Sequence, residues 1–316
     1  MSKIPYDHPF QDYGELTSLL VEKGIFGDVA FICERLKEVG YQRLSAYWIT
    51  FTDHDGRIPV NFDFVWRIYC FDRKIRALLL EALERIEIAV RNRLVHFFAK
   101  EYEAFGYLNR ENFPGLSDKD WNVWYQKQIN AARYSRSKMV IDFFNKYSDE
   151  YLPIWIACEL MDFGSTVVFY DGVEQKIQKV TSRSFNIGQP RIMLSWLRSL
   201  NDVRNACAHH NRVWNRAWVK QPSIPKKDKA WTVSYNQCSG QWEQVQAPSR
   251  KDIKAGFDIT KTGIMLTLCQ ILLMRIDPKN GWKEKLLDVI NNPAYSDIKL
   301  SMMGLPDKWY KHPLWS

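Results

Sequence analysis

Between Phe62 and about Tyr102 the chain contains neither glycine nor proline. Ordinary strands are only a few residues long, so an uninterrupted stretch of this length predicts a helix. The apolar residues agree. Ile75, Leu78, Leu79, Ala82, Ile86, Ala89, Val90 and Phe97 recur at i, i+3, i+4 and i+7, the pattern of one buried helical face. Arg93 falls inside this stripe by the same spacing. A buried arginine needs compensation, so Arg93 is expected either to pair with a carboxylate or to line a polar cavity.

The rest of the chain reads in the same way. Tyr13 to Val21 predicts a short helix, Asp28 caps a second that Gly40 ends, and YQRLSAYWITF (41–51) begins a third. Residues 103–120, with Gly106, Pro114 and Gly115, form a loop, and helices follow over 121–132 and 138–147. Pro153 opens a segment reaching Leu160, which Asp162-Phe163-Gly164 interrupts. A further helix starts near Pro190, well placed as a first helical residue, and carries Met193, Trp196, Leu197, Leu200, Val203 and Cys207. Beyond Trp218 the texture becomes polar and proline-bearing; residues 230–250 suit a short hairpin (Trp231, Val233, Tyr235), and Ile253 onward returns to helix, especially Ile264 to Ile276. The fold class is therefore all-α (mostly α). An N-terminal helical segment covers 1–60, a helical core 61–216, and a C-terminal elaboration packed on that core 217–316.

Charge and cysteines narrow the function. A formal charge of +8 and a pI near 9.0 suit a polyanionic partner. The basic residues are dispersed apart from Lys226, Lys227 and Lys229. The six cysteines form no CxxC pair, so they predict buried reduced thiols rather than a zinc ribbon or a disulfide framework. The cluster Asp53-His54-Asp55-Gly56 reads as turn chemistry and not as a metal site. No signal peptide or apolar span is visible, so a cytoplasmic protein off the membrane is expected.

The chemistry concentrates in Arg204-Asn205-Ala206-Cys207-Ala208-His209-His210. An arginine can hold a phosphate, and a histidine moves protons near neutral pH. Together they suit RNA cleavage with no metal or other cofactor. With Arg204 at zero and about 100° per residue, the apolar set centres near about −50°. On that count His210 lies at about −120°, bordering the core, and His209 at about +140°, across the helix. His209 is thus the expected proton carrier, His210 a packed neighbour and Asn205 a polar support beside Arg204. Glu87 and Arg93 are the candidates to line a pocket behind the pair. Since Arg204 and His209 do not stack on an ideal helix, one shared phosphate requires a helix end near 209 or a second copy of the chain.

Four ordered blocks give the chain a family likeness. YQRLSAYWITF (41–51), FDRKIRALLLEALERIEIAVRNRL (71–94), PIWIACELMDFG (153–164) and WLRSLNDVRNACAHHNRVWNR (196–216) resemble the Abi-like abortive-infection proteins of the AbiD/AbiF type, over roughly residues 20–220. The resemblance implies a HEPN-like helical bundle in which Arg204 and His209 match the R-x4-6-H ribonuclease pair and Asn205 the polar residue after the arginine. It further implies phage defence by RNA cleavage, a homodimer through the HEPN helices and, in some members, a small companion RNA. The alternatives are a non-catalytic module that holds a regulatory RNA and a protein-interaction scaffold.

Overall fold

Asn61 starts the long helix. Its side-chain oxygen accepts the Asp63 N–H at 2.8 Å, and the helix, numbered α4 in chain order, runs Phe62–Tyr102. At 1.5 Å per residue it spans about 60 Å. Glu103, at φ +58, turns the chain out of it. The computed structural model describes residues 7, 9–225, 228–244 and 256–315, so Lys226 and Lys227 of the basic run, and Ile253, lie outside the described residues.

Three short helices precede it. Asp12 caps α1 (Tyr13–Glu22), and Asp28 accepts the Ala30 and Phe31 N–H groups at the start of α2 (Val29–Val39). Gly40, at φ +88, breaks α2 from α3 (Tyr41–Trp48). After α4 come α5 (Asp118–Arg133), α6 (Lys138–Lys146), α7 (Ile154–Ala157), α8 (Phe163–Gly172), α9 (Gln175–Ser184) and α10 (Pro190–Ala208). The last two are α11 (Thr262–Ile276) and α12 (Trp282–Ile290). Asp162, expected to interrupt the chain, is the N-cap of α8 and accepts the Ser165 N–H at 2.7 Å.

Helix α4 is the spine, packed against α3 and α7 through α12. Glu87 faces Arg204 and Asp72 faces Val213, so α4 and α10 run antiparallel. α11 buries every residue from Thr262 to Leu273, as a helix that is apolar all round must. Trp282 Nε1 donates to the Leu78 carbonyl at 2.9 Å, which fastens the start of α12 to α4. The buried apolar core is continuous from Leu20 to Trp315. The hairpin pairs β1 (Val233–Asn236) with β2 (Gln241–Gln244) in antiparallel register. The fold is thus mostly α, with one small sheet among the described residues. All six cysteines are unpaired; Cys158, Cys207 and Cys269 are buried, but Cys238 is exposed in the hairpin turn. No described helix is long and apolar enough to cross a membrane.

Candidate functional site

Helix α10 stops one residue short of the histidine pair. Trp196, Leu197, Leu200, Val203 and Cys207 are buried on its inner face. Past Ala208 the chain closes as a Schellman motif. The His210 N–H donates to the Cys207 carbonyl at 3.0 Å and the Asn211 N–H to the Ala206 carbonyl at 2.8 Å. His210 itself is left-handed, at φ +57, in the position that glycine usually fills. A Cβ there costs about 1–2 kcal/mol. His210→Gly should accordingly raise stability by about 1 kcal/mol, read as a higher urea midpoint at unchanged slope.

That helix end corrects the expected phase. Counting 100° per residue holds only inside a helix, and His210 lies beyond the last helical residue, Ala208. His210 is therefore exposed rather than packed against the core, and His209, the C-cap, is exposed as well. Asn205 is exposed on the last turn.

The residues after His210 are held from two sides. Arg43 on α3 donates to the His210 carbonyl at 2.6 Å, and Arg212 donates to the Ala46 carbonyl. From α4, the buried Asp72 carboxylate accepts the Val213 N–H at 3.1 Å and the Trp214 N–H at 2.5 Å. Tyr47 donates to the same carboxylate at 2.6 Å and Arg76 pairs with it. Burial pushes the Asp72 carboxyl above its usual range, against the pull of Arg76. Sequence reasoning overlooked Asp72, Arg76, Tyr47 and Arg43, although the first two stand at i and i+4 within the long helix.

His210 also borders a cleft of about 510 Å³, shared with Arg204 and Ala208 of α10 and with Glu81, Glu84, Glu87, Ile88 and Arg91 of α4; Glu81 is paired with Lys285. Glu87 bridges two guanidiniums: its carboxylate lies 3.9 Å from Arg204 Nε and 3.8 Å from Arg91 Nη1. Burial raises the Glu87 carboxyl, and both arginines oppose that rise. Arg91 is fixed in turn by the Met161 carbonyl at 2.9 Å and by Glu159 at 3.2 Å. Arg204 keeps 37% of its side chain exposed, enough to meet a ligand. The arrangement is a half-exposed guanidinium, steadied from behind, with two accessible imidazoles at the same helix end. It can bind an anion and transfer protons beside it.

Arg93 is not part of this site. It donates to the Ser184 carbonyl at 2.6 Å and stacks on Phe185, its guanidinium carbon 4.1 Å from the ring centroid. It therefore joins α4 to the end of α9, neither paired with a carboxylate nor lining the cleft. The arginine of α4 that does line the cleft is Arg91, two residues earlier and on a different face. Asp53 closes a turn by accepting the Asp55 and Arg57 N–H groups at 3.0 and 2.8 Å. Among the described residues no three His, Cys, Asp or Glu side chains converge as metal ligands.

Residues 34–215 match the family of Abi-like proteins. The matched span is more than half of the chain and holds α4, α10, the cleft and the Asp72 cluster. No curated protein and no solved structure matches this chain.

Proposed function

The chain belongs to the Abi-like family, and from that premise we propose that it is a metal-independent endoribonuclease that acts in phage defence by abortive infection. The observation that carries this reading is that Arg204 and His210 line one accessible cleft at the end of α10, with Glu87 steadying the arginine from α4, while His209, the C-cap, is exposed at the same helix end outside the lining of that cleft. The R-x4-6-H spacing from Arg204 to His209 supports a HEPN-like assignment of the helices around it.

The proposed reaction is transesterification within RNA. His209 takes the proton of a ribose 2′-hydroxyl, and the 2′-oxygen forms a bond to the adjacent phosphorus. The bond from phosphorus to the 5′-oxygen breaks, and a second imidazole protonates that leaving oxygen. Arg204 holds the non-bridging oxygens, where charge grows in the transition state. A guanidinium suits this role because its fork matches two phosphate oxygens and stays charged. His209 of a second copy, related by a two-fold axis, supplies the second proton carrier, so the active form is a homodimer. Asn205, exposed on the last turn of α10, is the polar residue that would orient His209 or donate to the phosphate. The net charge of +8 suits binding of the cellular or viral RNA target and of any companion RNA that restrains the enzyme.

The products give the test. Total RNA incubated with the purified chain in excess chelator should yield fragments ending in 2′,3′-cyclic phosphate and beginning with 5′-hydroxyl. End-specific ligation followed by sequencing reads both ends. RNA that binds in a salt-dependent way but is never cut would replace this reading with a non-catalytic RNA-holding module.

A further inference from the structure

His210 borders two cavities. Opposite the Arg204 cleft lies a larger space of about 910 Å³ between the start of α1, α3 and the residues after α10. Resting on the ribonuclease reading, we infer that this second cavity holds one unpaired nucleotide of the RNA strand, next to the phosphate held at Arg204.

Charge is the first argument. Arg43, Arg212 and His210 line the cavity, and among the described residues no carboxylate does. Both arginines are held in place through backbone carbonyls, at His210 and Ala46, and neither forms an ion pair among the described residues. Each keeps guanidinium N–H groups free for a phosphate.

Hydrogen bonding is the second. Gln11, Gln42 and Asn211 line the same space, and their side-chain amides have no hydrogen-bond partner among the described residues. An amide offers a donor and an acceptor side by side, the complement of a base edge. Such an edge is open only when the base is unpaired, which is how proteins usually read RNA sequence. Stacking surface is present too. Tyr41 lines the cavity, its ring braced by Trp48 at 5.3 Å, and Phe10 at the margin is 91% exposed. Aromatic rings hold bases without regard to sequence, and the amides add the preference.

Continuity is the third. His210 lines both cavities, so a strand with its scissile phosphate at Arg204 would carry its neighbouring nucleoside past that residue into the second space. The volume is within the range of small-molecule sites, roughly 300–1,000 Å³.

The probe is a short fluorescent RNA with 2′-fluoro groups, which binds but cannot be cut. Gln42→Glu and Asn211→Asp each put a carboxylate into the cavity at an exposed position. Each should weaken binding at least about tenfold while the melting curve stays that of wild type. Annealing the complementary strand should abolish binding. The inference is overturned if both variants bind like wild type, or if the duplex binds as tightly as the single strand. The two readings fail separately. Wild type that binds the probe but cuts no RNA keeps the cavity and loses the nuclease. Wild type that cuts RNA, with both variants keeping its KM and base preference, keeps the nuclease and loses the cavity.

Discussion

Arg204→Ala should lower kcat/KM for RNA by at least about a hundredfold, with folding unchanged. Arg204 is more than one-third exposed and its nearest carboxylate contact, to Glu87, is long at 3.9 Å, so its removal costs little stability. The loss is in the transition state, where the guanidinium faces growing charge on the phosphate. Arg204→Lys should recover part of the activity, since the charge returns without the fork. His209→Ala should cost about 10²–10⁴-fold, the usual worth of a proton-transfer group. His210→Gly should instead raise KM with kcat nearly kept, because His210 borders the strand's path between the two cavities. The pattern of losses is informative. If cleavage survives His209→Ala and dies with His210→Gly, proton transfer belongs to His210. If Arg204→Ala cuts as well as wild type, the phosphate is not held there. Mixing Arg204→Ala with His209→Ala protein tests the composite site: if the dimer shares its residues, partial activity should return.

The main helices were legible because their signals are local. Asn61 and Asp28 as caps, Gly40 as a break, Pro190 as an opener and the 3.6-residue stripe of α4 need no knowledge of the fold. The hairpin was legible from its alternating aromatic and β-branched residues. Helices α8 and α9, over residues 163–184, went unassigned. In α8, Phe163, Val167, Phe169 and Tyr170 are all buried, so packing on several sides erases the amphipathic period. The site was legible only in part. Arg204 and His209 were singled out as candidates by motif and family likeness and Glu87 as a pocket candidate, but how the two histidines are placed depends on where α10 ends. Arg93 and Arg91 illustrate the same limit. Both occupy the long helix, and only the packing of α9 on one side and the Met161 loop on the other tells them apart. The Asp72 cluster was hidden because its partners are remote. Nothing local marks Asp72 and Arg76 as buried; the fold does so by bringing up Tyr47, 25 positions away, and Val213, 141 positions away.

That cluster sets the second large expectation. Asp72→Ala should destabilise the protein by about 3–5 kcal/mol, the cost of breaking a buried charge pair from one side. Four donors lose their acceptor at once: the Val213 and Trp214 N–H groups, the Tyr47 hydroxyl and the Arg76 guanidinium. Each orphaned buried group carries its own desolvation penalty, and the charged one carries most. The urea midpoint should fall accordingly, and far-UV circular dichroism will show whether a folded state remains. Two further variants separate the causes. Arg76→Met removes the charged partner but leaves Asp72 to accept from the backbone, so it should cost less than Asp72→Ala. Asp72→Asn keeps one acceptor oxygen and should also cost less. If Asp72 served only to pair Arg76, the Arg76→Met and Asp72→Ala losses would be equal. The functional readout goes further. The residues that Asp72 fastens follow His210 within four positions, so Asp72→Asn, with one acceptor oxygen left for four donors, loosens the chain from which the Schellman turn and both histidines hang. Folded Asp72→Asn protein should therefore lose kcat by more than about tenfold while its KM for RNA changes little. A kcat at the wild-type value in fully folded Asp72→Asn would mean that the turn after α10 holds its own shape, and that the buried carboxylate serves stability alone.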